Sequence, residues 1–425
     1  MGSGHRRSPG PGNPPGHGHG HGHGHSRGRP GIRADRRLVA WLTAVVGALA
    51  AITVIAMIVM WPHGPRAALP LSPDEQPARL VHATALSVAP YDCEGTGSTI
   101  GPGGKPTQVR CGKVVVRIQH GADAGQEATV LVQPEIYRTG VHAGDELLVS
   151  KVADGGGIAP ADSYAFADFA RTTPMIWLGV LFAVLVVAVA RLRGLAALAG
   201  LGISALVLTK FILPALLDGR SALAVGVVGG AAIMFVVLYV AHGVSVRTTT
   251  ALLGTLLGLA TTALLGSVAV SGFHLSGLGS EDDQYLSAFA GQIQLSGLLL
   301  CGIVIASLGV LNDVTVTQAS AVWELHETDP TQSRAQLFAS GMRIGRDHIA
   351  STVYTLVFAY AGTALPVLLL INIAHAPLGG VLTSEPLAEE IARTLVGSIG
   401  LVLAVPLTTA VATALVGRSR PLPAG

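Results

Sequence analysis

Residues 38–60 read LVAWLTAVVGALAAITVIAMIVM, with no charge and no proline. At 1.5 Å per residue, a helix over this run is long enough to cross the roughly 30 Å hydrocarbon layer. A cleaved signal peptide has a shorter apolar core followed by a small-x-small cleavage site. Neither feature is convincing here, so the run is expected to remain as an anchor. Arg36 and Arg37 before it read as a positive-inside flank, since the residues around them match a twin-arginine signal poorly.

The composition extends this reading to the whole chain. Of 425 residues 50% are hydrophobic, 12% charged and 5% aromatic, with mean hydropathy +0.56. Soluble domains carry about 25% charged residues. These values exclude a soluble enzyme, a disordered hub and a collagen-like chain. A net charge of +2 gives no basis for nucleic acid as a partner. The lipid bilayer is the expected one.

Upstream of the anchor, residues 1–37 hold Gly, Pro, Arg and His with no apolar face, and a disordered cytoplasmic tail is expected. His17, His19, His21, His23 and His25 alternate with Gly there. Neutral imidazole suits divalent transition metals, but a disordered tract fixes no geometry. These histidines are at most a weak metal buffer, and no cofactor is expected.

Downstream, residues 61–172 regain charge, Gly and Pro. Short β-type runs occur at 80–88, 109–118, 128–132 and 146–152. Val114, Val116 and Ile118 alternate with Val115, Arg117 and Gln119, the period of a half-buried strand. A small all-β domain is expected, a five-stranded barrel by strand count, with 153–172 as a linker. Cys93 and Cys111 fall within it and Cys301 in a later apolar run. Outside the cytoplasm the first two are expected to pair, the alternative being two free thiols.

Seven further apolar runs follow, at about 174–190, 195–213, 222–241, 249–270, 292–311, 350–373 and 394–416. The fold expected is therefore a membrane all-α bundle of about eight transmembrane helices. The small extracytoplasmic all-β domain lies between helices 1 and 2. The bundle proper covers 173–417, and 418–425 is a cytoplasmic tail. Gly226 and Gly230, like Gly254 and Gly258, are spaced for close helix approach. With the N-terminus inside, the cytoplasmic segments carry fifteen Arg, while the short outer loops carry Arg220 and Arg393 beside an acidic set that includes Glu281, Asp282, Asp283, Glu385, Glu389 and Glu390. This places both termini on the cytoplasmic side of the membrane. Lys210, near the outer end of its span, either snorkels outward or serves as a buried counter-ion.

One stretch carries candidate chemistry. The apolar run ending at Leu311 passes into Asn312-Asp313-Val314-Thr315-Val316-Thr317-Gln318 with no Gly or Pro until Pro330. Either the helix emerges with a polar end, or Asn312 and Asp313 lie at membrane depth, where an ionisable residue marks function. Asp313 and Thr317 are four apart and share a helical face; Asn312 and Thr315 share an adjoining one. Such oxygen donors suit an alkali cation, a proton relay or a polar solute. Arg343, Arg346, Asp347 and His348 form a charged collar at the mouth of the next span, with His348 able to relay protons near neutral pH. Asp313 is expected to be buried and to pair with Arg343, Arg346 or a bound cation.

Gly101–Pro106 imitates a phosphate loop but fails its spacing, and neither His-Glu-x-x-His nor Gly-x-Ser-x-Gly occurs. No basis for ATP hydrolysis, metalloproteolysis or serine catalysis is present in these motifs. The run from Ser307 to Leu325, SLGVLNDVTVTQASAVWEL, resembles the signature of the YibE/F-like family of bacterial multi-pass membrane proteins. Gly341–Ser351 and Arg393–Thr408 are similar to its other blocks, and the likeness spans about 75–417. It implies an integral membrane protein and adds no substrate. A permease-like or export-related role without its own ATPase is expected. The alternative is an envelope scaffold that binds a protein partner through the β domain. The oligomeric state stays open.

Overall fold

The computed structural model describes residues 36–63, 80–94, 108–151, 164–289, 293–374 and 378–416. The histidine tract, the Gly101–Pro106 segment and the C-terminal tail lie outside the described residues.

Five strands form the first unit: β1 Leu80–Glu94, β2 Gln108–Ile118, β3 Glu127–Val132, β4 Glu146–Lys151 and β5 Tyr164–Phe169, with the short helix α2 Pro134–Gly140 between β3 and β4. The sheet runs β3-β2-β1-β4-β5, antiparallel throughout. β5 comes back beside β3 without ladder bonds, curling the sheet into a half-barrel. This is the plan of a partly open OB-type barrel. The alternation in β2 does what its period requires: Val114, Val116 and Ile118 are buried with Ala83, Val130, Leu147 and Val149. Cys93 and Cys111, on paired strands with Cα atoms 5.9 Å apart, are joined. The stretch 153–172 is more than a linker, because it contains β5. That strand buries little beyond Tyr164, so its side chains carry no clear alternation, and it is held by its ladder to β4.

The helical unit comprises α1 Arg36–Val59, α3 Thr172–Val207, a π-helical turn Leu208–Ile212, α4 Leu213–Leu217, α5 Ala222–His242, α6 Val246–Gly272, α7 Glu281–Phe289, α8 Leu295–Thr328, α9 Arg334–Thr363, α10 Leu365–Ala374, α11 Leu378–Leu382 and α12 Glu385–Val416. Among the described residues six stretches are long and apolar enough to cross a membrane, or seven if the bent pair α9–α10 is one span. The pair bends by 66° just before Pro366, whose ring and missing N–H break helical bonding.

The stretch Thr172–Leu217 counts once in that total although its sequence holds two apolar runs. It is interrupted at Arg191, with φ 53 and ψ −130. A Cβ placed on Gly194 would overlap the carbonyl oxygen of Val186. In a continuous helix those residues would stand about 12 Å apart. The chain therefore folds back at Arg191, and 172–190 and 192–217 are two arms of a hairpin. The first arm is almost wholly exposed, while the second packs on α5. The π-turn precedes Pro214 and seats Phe211 and Ile212 against Gly229, and Lys210 is exposed.

The centre of the bundle is α6, α8 and α12, with α5 and α9 flanking them. Small residues set the approach. Gly226 lies against Cys301 and Gly230 against Leu308; Gly258 meets Leu311 and Ala404. A Cβ on Gly254 would overlap the Thr408 hydroxyl, and one on Gly400 the Thr262 hydroxyl.

The two ends of the bundle differ in charge. Leu38 and Leu42 pack on Leu415; Val246 packs with Trp323, Leu337 and Val416. These contacts bring the N-termini of α1, α6 and α9 and the C-termini of α8 and α12 to one end, with Arg36, Arg37, Arg247 and Arg334. At the other end Trp61 stacks on Phe211, the His63 amide donates to Asp218, and Ser276 hydrogen-bonds Glu385 near Glu281, Asp282 and Asp283.

Candidate functional site

α8 runs unbroken through the sequence signature. The 34-residue helix is about 51 Å long, and its Thr hydroxyls donate back to carbonyls of the preceding turn, as Thr317 does to Asp313 O at 2.7 Å. One face, Leu311, Val314, Thr315, Gln318, Ala319 and Val322, is buried. Asp313 and Thr317 share the opposite, exposed face, as their spacing requires.

The inward face carries a polar seam. Thr315 and Thr255 of α6 share a hydrogen bond of 2.6 Å. Gln318 donates to the Gly341 carbonyl at 2.9 Å and to the Thr409 hydroxyl at 2.7 Å. Glycine at 341 and 345 leaves the room this amide occupies, since a Cβ on Gly345 would stand 2.9 Å from its oxygen. Along α6, α8 and α12 three buried polar atoms have no hydrogen-bond partner among the described residues: Thr262 Oγ1, Asn312 Oδ1 and Thr408 Oγ1. Buried polar groups are normally paired, so unpartnered oxygens on three central helices stand out.

The outward face differs from expectation. The Asp313 side chain is 65% exposed, and its neighbour is His348, with Nε2 3.7 Å from Oδ2. Arg343 donates to Ser340 instead, and Arg346 and Asp347 are exposed. The reason lies in the phase of α9. Gly341, Gly345 and His348 face α8 and α12, and Arg343, Arg346 and Asp347 turn away. The nine polar candidates thus separate into an inner set (Asn312, Thr315, Gln318) and an outer set (Asp313, Thr317, Arg343, Arg346, Asp347), with His348 at the boundary. Thr255 is the tenth residue of α6, about 14 Å from the helix start, so the Asp313–His348 pair stands level with the middle of the bundle.

Two features were missed at the level of sequence. The hydroxyls of Thr255, Thr262, Thr408 and Thr409 look unremarkable in apolar runs, although Thr-Thr pairs at 261–262 and 408–409 are visible there. Glu389 reads as an outer-loop acid but is 6% exposed, one oxygen unpartnered. It fills the space left by Gly279 and lines a cavity of about 240 Å³ with Asp283 and Arg393. Glu389 and Arg393, four apart, were the available signal. Among the described residues no three of His, Cys, Asp and Glu gather as metal ligands.

The family model described as YibE/F-like protein matches residues 178–418, from the first arm of the hairpin to the end of α12. No curated protein and no solved structure matches the chain.

Proposed function

We propose a function from the premise that this chain belongs to the YibE/F-like family: it is a permease-like protein of the bacterial inner membrane. In this reading both hairpin arms cross the bilayer, giving eight spans with both termini cytoplasmic. The excess of arginine at one end of the bundle supports that orientation. The observation that carries the proposal is the Asp313–His348 pair level with the middle of the bundle, one helix face away from the unpartnered Asn312 oxygen. An ionisable pair at that depth is expensive to hold for structure alone. An imidazole can take up and release a proton, and Asp313 Oδ2 lies 3.7 Å from His348 Nε2, so the pair suits proton-coupled movement of a solute.

Proteoliposomes carrying a pH-sensitive dye test this under an imposed membrane potential. The wild-type chain is expected to pass protons above the level of empty vesicles. Asp313→Asn and His348→Gln should each lose most of that flux, and Asp313→Glu should keep part. Because Asp313 is exposed, its two substitutions should leave protein level and unfolding within about 0.5 kcal/mol of wild type. Wild-type flux equal to that of empty vesicles, or undiminished flux in both variants, would sink the proposal. The exposure of Asp313 favours a second reading, an envelope scaffold whose β domain holds a protein partner. That reading gains if deleting the β domain abolishes the cellular phenotype while Asp313→Asn is silent.

A further inference from the structure

At the arginine-rich end a cavity of about 320 Å³ opens between the Arg191 turn, the α5–α6 connection and α8. Its size falls at the small end of the ligand-pocket range of about 300–1,000 Å³. Arg193, His242 and Arg247 line it, with the hydroxyls of Ser245, Thr248 and Ser320. No carboxylate is among the described residues that line it. Neither Arg193 nor Arg247 makes an ion pair among the described residues, and the charges of both bear on His242.

The groups are arranged rather than merely adjacent. Arg247 is fixed by its Nε, which donates to Ser320 Oγ at 2.8 Å, and among the described residues the two terminal amino groups of its guanidinium make no hydrogen bond. Arg193 follows the hairpin turn by two residues, so a rigid bend places it across from Arg247. The cavity also holds the start of the 27-residue helix α6, where Ser245 caps the Thr248 amide. Two uncompensated guanidinium groups, hydroxyl donors and a helix N-terminus are the chemistry that holds a phosphate dianion or diester. Walls of Ala241, Ala251 and Val316 line the cavity away from the charges. We infer that this cavity binds a phosphate group, carried by an anionic phospholipid headgroup or by a free phosphate. Basic pockets between membrane helices take lipid headgroups in this manner.

The test uses the full chain, purified and delipidated in an uncharged detergent. Native mass spectrometry and thermal unfolding are read with phosphatidylglycerol, with phosphatidylcholine and with inorganic phosphate. The expected result is retention of phosphatidylglycerol over phosphatidylcholine and a raised unfolding midpoint. Affinity should fall at least tenfold in Arg193→Gln and in Arg247→Gln. A shift from inorganic phosphate alone, equal to that from the lipid, assigns the site to the free anion. Wild-type protein that binds neither, or discriminates neither lipid, overturns the inference whatever the variants do. So does affinity unchanged in both variants.

Discussion

A methyl group added at Gly254 meets the Thr408 side chain at a separation no real Cβ shows. Overpacking of this kind typically costs about 1–3 kcal/mol. Gly309, on the exposed face of α8, has nothing within 4 Å of its would-be Cβ, and there alanine only improves helix propensity, by up to about 1 kcal/mol. Gly254→Ala should therefore lower the thermal midpoint of the purified chain and Gly309→Ala leave it level or raise it. Equal effects from the two would show that α6 and α12 are not in the contact described. The same distinction separates glycines that share one composition: Gly226, Gly230, Gly254 and Gly258 do serve as contact points, at spacings readable in advance, but which partner each meets was not. Likewise the side chains of Asp313 and Thr317 share a face as their spacing says. Which face is buried depends on where α6 and α12 lie, and spacing within α8 holds no information on that.

Local signals were strongest where an element is continuous. α8 was legible because no Gly or Pro interrupts its polar half, and the start of α9 is marked by a capping box, Ser333 with Gln336. That helix begins well before the apolar run at 350–373, because its first half is held by glycine contacts to Gln318, Val322 and Thr409 rather than by hydropathy. The turn at Arg191 was legible as a loop with two arginines but not as a single-residue reversal. Its backbone lies in a region glycine enters freely and β-branched residues avoid. Arg191→Gly should raise the unfolding midpoint, by about 1 kcal/mol equivalent, and Arg191→Val should lower it; the reverse order would mean that the turn is built otherwise. In the β unit, Tyr164 of β5 donates to Asp123 at 2.6 Å and Lys151 pairs with the same oxygen at 2.9 Å. The Tyr164 hydroxyl, chiefly, and Lys151 hold the Asp123 carboxyl below its usual range, whereas burial and then Asp123 push Tyr164 up to about 12. The Asp123 contribution is present above the ordinary carboxylate value and lost as pH falls through and below it. The Tyr164 contribution is present below its ordinary value of 10.0 and lost as pH rises from there towards about 12. Protection of the β4 and β5 amides, relative to their intrinsic exchange rates, should thus fall at both extremes, and Tyr164→Phe should remove its own alkaline contribution and weaken the acid limb, because the hydroxyl that holds Asp123 down is gone.

Over the whole molecule, charge and covalent chemistry make one joint expectation. Reporter fusions after residues 150, 218 and 280 should report the outside, and those after 193, 245 and 335 the cytoplasm. Maleimide labelling of intact cells should leave Cys93 and Cys111 unmodified until reductant is added, since the joined pair persists only in an oxidising compartment. A fusion after 335 that reports outside would reverse the orientation, and free labelling of both cysteines would move the β domain to the reducing side. The hairpin at Arg191 has a consequence for how such a chain is made. With one residue between its arms, no hydrophilic loop separates the two apolar runs. The first arm touches little besides its own continuation, and the reversal is complete only once Gly194 stands against Val186. Insertion of the two arms is then expected to be coupled, and a chain stopped between residues 191 and 200 would hold the β domain by α1 and by a first arm that lacks its partner.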